Sequence, residues 1–161
     1  MLTIVCIAAT LSASGNQTPR DTATPTDTAT IERAAAAYAA DHLLRTIAAG
    51  PRAFDPQSSD GHRRSPEQVA ALARLLNAET IPRTAVVTCK HGLESCEMGR
   101  YAGIVTLGVL STTDSTAEVT VRIEWPVRSV RQPVALFEPT LLFVRSNGAW
   151  HFARIVEVRS T

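Results

Sequence analysis

Hydrophobic positions recur with a helical period in the first half of the chain and with a period of two in the second. Residues 31–49 are Ala-rich and free of Gly and Pro, and Gly50-Pro51 closes them, so a first helix is expected there. Ile31, Ala35 and Tyr38 form one apolar stripe, and Ala37, Ala40, Leu44 and Ile47 form its neighbour. Residues 51–64 are rich in turn formers and read as loop. Ser65-Pro66-Glu67-Gln68 then supplies an N-cap, a proline for the first turn and a glutamine three residues on, which together make a capping box. Val69, Leu72, Leu75 and Leu76 follow at helical spacing, and Asn77 is the expected stop.

Beyond Pro82 the alternation predicts strands at 85–89, 101–110, 118–125, 136–145 and 149–159. The second is apolar on both faces and is expected to be central. In the third, Val119, Val121, Ile123 and Trp125 face one way. Residues 126–133 read as a Pro-bounded crossing. Asn147-Gly148 is a two-residue hairpin signal, because both positions tolerate positive φ. A regular ladder from that turn opposes Arg145 with Trp150, Phe143 with Phe152, Leu141 with Arg154 and Phe137 with Val158. It would bury Phe137, Leu141, Phe143, Trp150, Phe152 and Val156 on one face, with Arg154 among them. The expected fold class is α+β, with two N-terminal helices packed on a curved, mainly antiparallel sheet of about five strands.

EVTVRIEW, LLFVRSNGAWHF and the final IVEVR make this half resemble the NTF2-like (SnoaL-like, cystatin-like) superfamily. That resemblance implies a bent antiparallel sheet wrapped around an N-terminal helix over residues 31–159. The superfamily holds isomerases, dehydratases, binding subunits and non-catalytic partners, so the fold alone does not decide the activity.

Three regions are expected. Residues 1–15 read as a signal peptide, an apolar run from Leu2 to Leu11 followed by Ser12-Ala13-Ser14-Gly15. Residues 16–30 read as a Thr/Pro-rich flexible linker, and residues 31–161 as a single domain. Asn16-Gln17-Thr18 is formally a glycosylation sequon. Cys6 would leave with the signal, so the mature chain would keep Cys89 and Cys96, an even pair suited to a disulfide in a secreted or periplasmic protein.

Sixteen basic residues against fifteen acidic give a net charge of +1, which carries no footprint for nucleic acid. No apolar run reaches the roughly 18 residues of a spanning helix. His91, between the two cysteines, is the one candidate for a mixed metal site, but the spacing is not that of a zinc knuckle. Neither a metal nor a cofactor is expected. His62, Arg63 and Arg64 read as a solvated cluster neutralised by Asp60 and Glu67.

The candidate ligand-binding residues are Arg154, Tyr38 and His42. Arg154 would be a lone charge on an aromatic face, requiring a partner, a ligand anion or a position at the rim. Tyr38 and His42 sit one turn apart on one helix stripe, whereas adjacent Asp41 and His42 diverge by about 100° and form no dyad. One inward polar group favours a non-catalytic module that binds a small ligand or protein, or pairs with itself through the sheet. The alternative is a small pocket enzyme (lyase, isomerase or hydrolase) using Tyr38, His42 or Arg154. The small-residue site predicts a mature chain beginning at Asn16; an intact mass of exported material that retains residues 1–15 would refute it.

Overall fold

A computed structural model describes residues 25–89, 96–127 and 134–161. The signal segment, the sequon, His91 and most of the Pro-bounded crossing lie outside the described residues. Helix α1 (Pro25–Tyr38) begins six residues before the predicted start, taking in the end of the expected linker. It runs on through a π-helical turn (Ala39–Leu43) and a 3-10 turn (Leu44–Thr46). Its buried side chains are Ile31, Glu32, Ala35, Ala36 and Ala39, followed by Leu44 and Ile47. The run of alanines brings the helix backbone close to the sheet beneath it.

Helix α2 (Pro66–Leu76) starts as the sequence demands. Ser65 Oγ accepts from Gln68 N–H at 3.3 Å, Ser65 N–H donates to Gln68 Oε1 at 2.7 Å, and Asn77 ends the helix in the left-handed conformation (φ 49°). Leu72 and Leu76 are buried, but Leu75, expected on the same face, is exposed.

The other elements are β1 (Arg52–Phe54), β2 (Glu79–Thr80), α3 (Arg83–Val86), β3 (Thr88–Cys89), β4 (Cys96–Glu97), β5 (Gly103–Thr112), β6 (Thr116–Pro126), β7 (Val134–Ser146) and β8 (Ala149–Ser160). The fold is α+β with a mainly antiparallel sheet of six strands, in the order β2-β1-β5-β6-β7-β8. Only β1 is parallel to its neighbours, β2 and β5. Beginning at residue 83, the expected strand 85–89 is instead one turn of helix and a two-residue strand, with Val87 N–H donating to Arg83 O at 2.8 Å.

The sheet has apolar residues on both faces. Ile31, Ala35, Leu72 and Leu76 pack with Phe54, Val105, Leu107, Val119, Val121, Ile123, Leu141 and Phe143 in the main core. On the opposite face Ala53 and Ile104 meet Val86, Val87, Cys96, Met98 and Tyr101. Cys89 and Cys96, paired across β3 and β4, form the expected disulfide beside this second core. Closing so short a loop contributes about 2.5 kcal/mol in the chain-entropy account.

The loop expected over 51–64 opens with the short strand β1, and residues 55–64, which form neither helix nor strand, run along β5 past its end. Asp55 N–H donates to Val105 O at 2.9 Å and Ser59 N–H to Leu107 O at 3.2 Å. Val109 N–H donates to Asp60 Oδ2 at 3.1 Å, and Ser58 Oγ–H donates to Asp60 Oδ1. Gly108 is required here, because a side chain at that position would overlap Ser59. Burial alone would raise the Asp60 pKa, but hydrogen bonds from Ser58, His62 and Val109 hold it below the ordinary aspartate value.

Arg64 is the correction to the solvated-cluster reading. Its side chain is 0% exposed and that of its partner Glu32 is 1% exposed. Arg64 Nε and Nη2 donate to Glu32 Oε1 at 3.0 and 2.8 Å, Nη1 donates to Pro56 O at 3.0 Å, and Nη2 also donates to Leu107 O at 2.8 Å. The guanidinium also sits 5.5 Å from the Phe54 ring centroid. Glu32 Oε2 is buried without a hydrogen-bond partner among the described residues.

Arg64→Ala should therefore cost about 3–5 kcal/mol in urea unfolding, because it strands the Glu32 carboxylate without a counter-charge. Removing both charges, as Glu32→Met with Arg64→Met, should recover more than half of that loss. Additive losses in the double variant would show that the pair does not act as a unit.

Candidate functional site

Tyr38 is the last residue of α1, and the π turn that follows returns the His42 ring over it, with centroids 4.7 Å apart. On its other side Tyr38 stacks on Phe152 of β8 at 4.0 Å, and Phe152 meets Phe143 edge-on at 6.1 Å. This makes an aromatic ladder from exposed His42, through half-buried Tyr38, to the core at Phe143. Near the hairpin tip, the Arg145 guanidinium lies 5.7 Å from the Trp150 ring centroid and pairs with Asp27 of α1 at 3.4 Å. The first turn of α1 is thereby tied to the start of β8.

The Asn147-Gly148 turn forms with both residues at positive φ, and the first predicted pairs are present, Arg145 with Trp150 and Phe143 with Phe152. The ladder then departs from the regular register twice. Arg154 lies opposite Leu142 rather than Leu141, Ile155 opposite Leu141, Val158 opposite Pro139 and Ser160 opposite Phe137. Ala153 and Val156 are the extra residues, each a one-residue bulge in β8.

Each bulge restores an apolar residue to the helix-covered face and turns a charged one away. Arg154 is consequently on the opposite face from Phe143 and Phe152, exposed, and without an ion pair among the described residues. The structure thus brings Tyr38 and His42 together with Phe152, while Arg154 does not join them. Val156, expected to be buried, is exposed at its bulge.

On the outer face a line of ion pairs crosses the sheet. Arg83 Nε pairs with Glu124 Oε2 at 2.5 Å, and Arg122 reaches Glu124 at 3.3 Å and Glu138 at 3.4 Å. Arg159 lies 3.9 Å from Glu138 and 3.1 Å from Glu157. Burial would raise the Glu124 pKa, but hydrogen bonds from Arg83 and Arg122 and their positive charge keep it below the ordinary glutamate value. The hydrogen bond to Glu124 raises Arg83 in turn. These carboxylates are committed to guanidinium groups.

Among the described residues, a surface hollow of about 420 Å³ is lined by Arg33, Ala71, Arg74 and Leu75, and another of about 360 Å³ by residues of the 56–64 segment and Val69. Neither includes Tyr38, His42 or Arg154. Among the described residues no cluster of three His, Cys, Asp or Glu side chains could hold a metal, and no helix is long and apolar enough to cross a membrane.

What the site offers is apolar surface on an edge strand. Four of the seven exposed large apolar side chains among the described residues are on β8: Phe152, Ile155, Val156 and Val158, at 36, 40, 42 and 48% exposure. One side of β8 pairs with β7 and the other has no strand beside it among the described residues. Comparison with known protein families, with curated proteins and with solved structures finds no match for this chain.

The unequal burial of the two phenylalanines sets their costs. Phe143→Ala should destabilise by about 3–5 kcal/mol, and Phe152→Ala by only about 1–2 kcal/mol, because over a third of its surface is already in water. Arg154→Met should leave the urea midpoint nearly unchanged, and a large shift would mean that the guanidinium has a structural partner.

Proposed function

We propose that the chain is a secreted or periplasmic NTF2-like domain, two helices on a curved sheet, acting as a non-catalytic binding module. Its binding surface is the strip formed by His42, Tyr38, Phe152, Ile155 and Val158. The observation that carries this reading is the concentration of exposed apolar side chains on a long edge strand, continuous with a stacked Tyr–Phe pair. Isolated exposed apolar residues are ordinary on any protein, but a contiguous run along one element marks a surface used for recognition. The cross-strand disulfide supports an oxidising compartment.

The strip suits an apolar or aromatic ligand group rather than an anion. Arg154, the cation expected on this face, belongs to the other one. An acid–base reaction would require a second titratable group converging with Tyr38 and His42, and the strip supplies only apolar side chains beside them.

An anilinonaphthalene dye, fluorescent on apolar surfaces, tests the reading. The native chain should bind it, and Phe152→Asp should weaken binding at least about tenfold while the near-ultraviolet circular dichroism of the core stays intact. Unchanged dye affinity in that variant would place the apolar site elsewhere and remove the reading.

A further inference from the structure

The two bulges give β8 an uneven spacing. The residues it presents on the helix-covered face are Trp150, Phe152, Ile155, Val158 and Ser160, opposite Arg145, Phe143, Leu141, Pro139 and Phe137. The intervals are two, three, three and two residues, which is a palindrome centred on Ile155. An ordinary strand presents a residue to one face every two positions. Laid beside β8, such a strand must set one residue against two at each bulge, as β7 does.

A strand with the same two extra residues, run antiparallel, keeps register along the whole length. We infer that the partner of this edge is a second copy of the chain, paired β8 to β8 about a two-fold axis midway between the two copies of Ile155. The inference rests on the reading of β8 as the binding surface, and it names the occupant.

The pairing follows from the palindrome. Ile155 meets Ile155 of the second copy, Phe152 meets Val158 of the second copy, and Trp150 meets Ser160 of the second copy. Two Ile155 and two Val158, exposed apolar side chains in the single chain, come together with Phe152 at their flanks. Both copies present their helices on the same side of a sheet that becomes continuous, because the axis is perpendicular to it. The backbone N–H and C=O groups on the side of β8 that has no strand beside it among the described residues pair across the axis.

Charge complementarity supports the same arrangement on the other face. Among the described residues Arg154 has no ion pair, and Glu157, more than half exposed, has Arg159 as its ion-pair partner. In this register Arg154 falls opposite Val156 of the second copy, one position from that copy's Glu157. The contact is made twice, once on each side of the axis. An arginine without an ion pair among the described residues is thus brought near a carboxylate when the chain meets itself.

The test uses the full chain with Cys6→Ser, to remove the remaining thiol. Residues directly opposed across an antiparallel pair have Cα atoms about 4.5–5.5 Å apart, within disulfide range. Under mild oxidation Ile155→Cys should cross-link most chains into dimers, whereas Leu110→Cys, at a more exposed position on β5, should not. In sedimentation the native chain should form a concentration-dependent dimer between about 1 and 100 µM, as fits an interface of one strand. Arg154→Glu should raise its dissociation constant at least about tenfold, and adding Glu157→Arg should restore it.

A monomer throughout that range, with Ile155→Cys left reduced, would overturn the pairing. So would a dimer in which both cysteine variants cross-link equally. The dye separates the two levels: a monomer that still binds dye in a Phe152-dependent way loses the self-pairing and keeps the binding surface, whereas one that does not loses both.

Discussion

Arg64 ties together three parts of the chain through one side chain. Its guanidinium joins Glu32 of α1, the Pro56 carbonyl and the Leu107 carbonyl of β5 in one fully buried cluster. A charge taken out of water at such depth is tolerable only if nearly every donor is engaged and a counter-ion is present, so the cluster is all-or-none. Once it forms, α1 has one position over the sheet. That position sets where Tyr38 ends the helix, and therefore which strand its ring stacks upon. The aromatic ladder at the end of the helix follows from an ion pair near its middle.

The same cluster explains why β1 can be three residues long. Past Phe54 the chain no longer forms a strand, yet Asp55, Ser59 and Asp60 continue to bond the backbone of β5, and Arg64 fastens the far end. Side-chain and turn hydrogen bonds replace the missing ladder. Close contact is possible because Gly108 carries no Cβ. A polar stretch that looks like surface loop is in this way part of the sheet's margin.

Features that depend on neighbouring residues were the legible ones. The Ser65–Gln68 box, the Asn77 stop and the Asn147-Gly148 turn each need only a few residues, and each formed as expected. Tyr38 and His42 met because four positions on a helix share a face. The buried Arg64 lacked any local signal of its own. A signal did exist in Glu32, which lies on one stripe with Ala36 and Ala39 and so places a carboxylate on an apolar face that must find a cation. The bulges were also written in the chain: Phe152, Ile155 and Val158 recur every three residues, as do Arg154 and Glu157, where a regular strand would alternate. Reading the first pairs outward from the turn at constant register is what put Arg154 on the wrong face. Strand order, and with it the edge position of β8, depends on contacts far apart in sequence and had no local trace.

The two margins of the six-stranded sheet are unequal. One ends in β2, only two residues long and carrying Glu79 in an ion pair with Arg100; the other ends in twelve residues of β8. A strand of two residues offers too little backbone to template another chain, and its charge adds a further deterrent. Growth by edge addition is therefore confined to one direction. Sheets that are open at both margins can add subunits end on end into filaments; this one, having a single usable margin, reaches a dead end as soon as that margin is occupied. The brevity of β2 thus acts as a chain terminator, and it lets a long apolar edge exist without making the protein a fibre former.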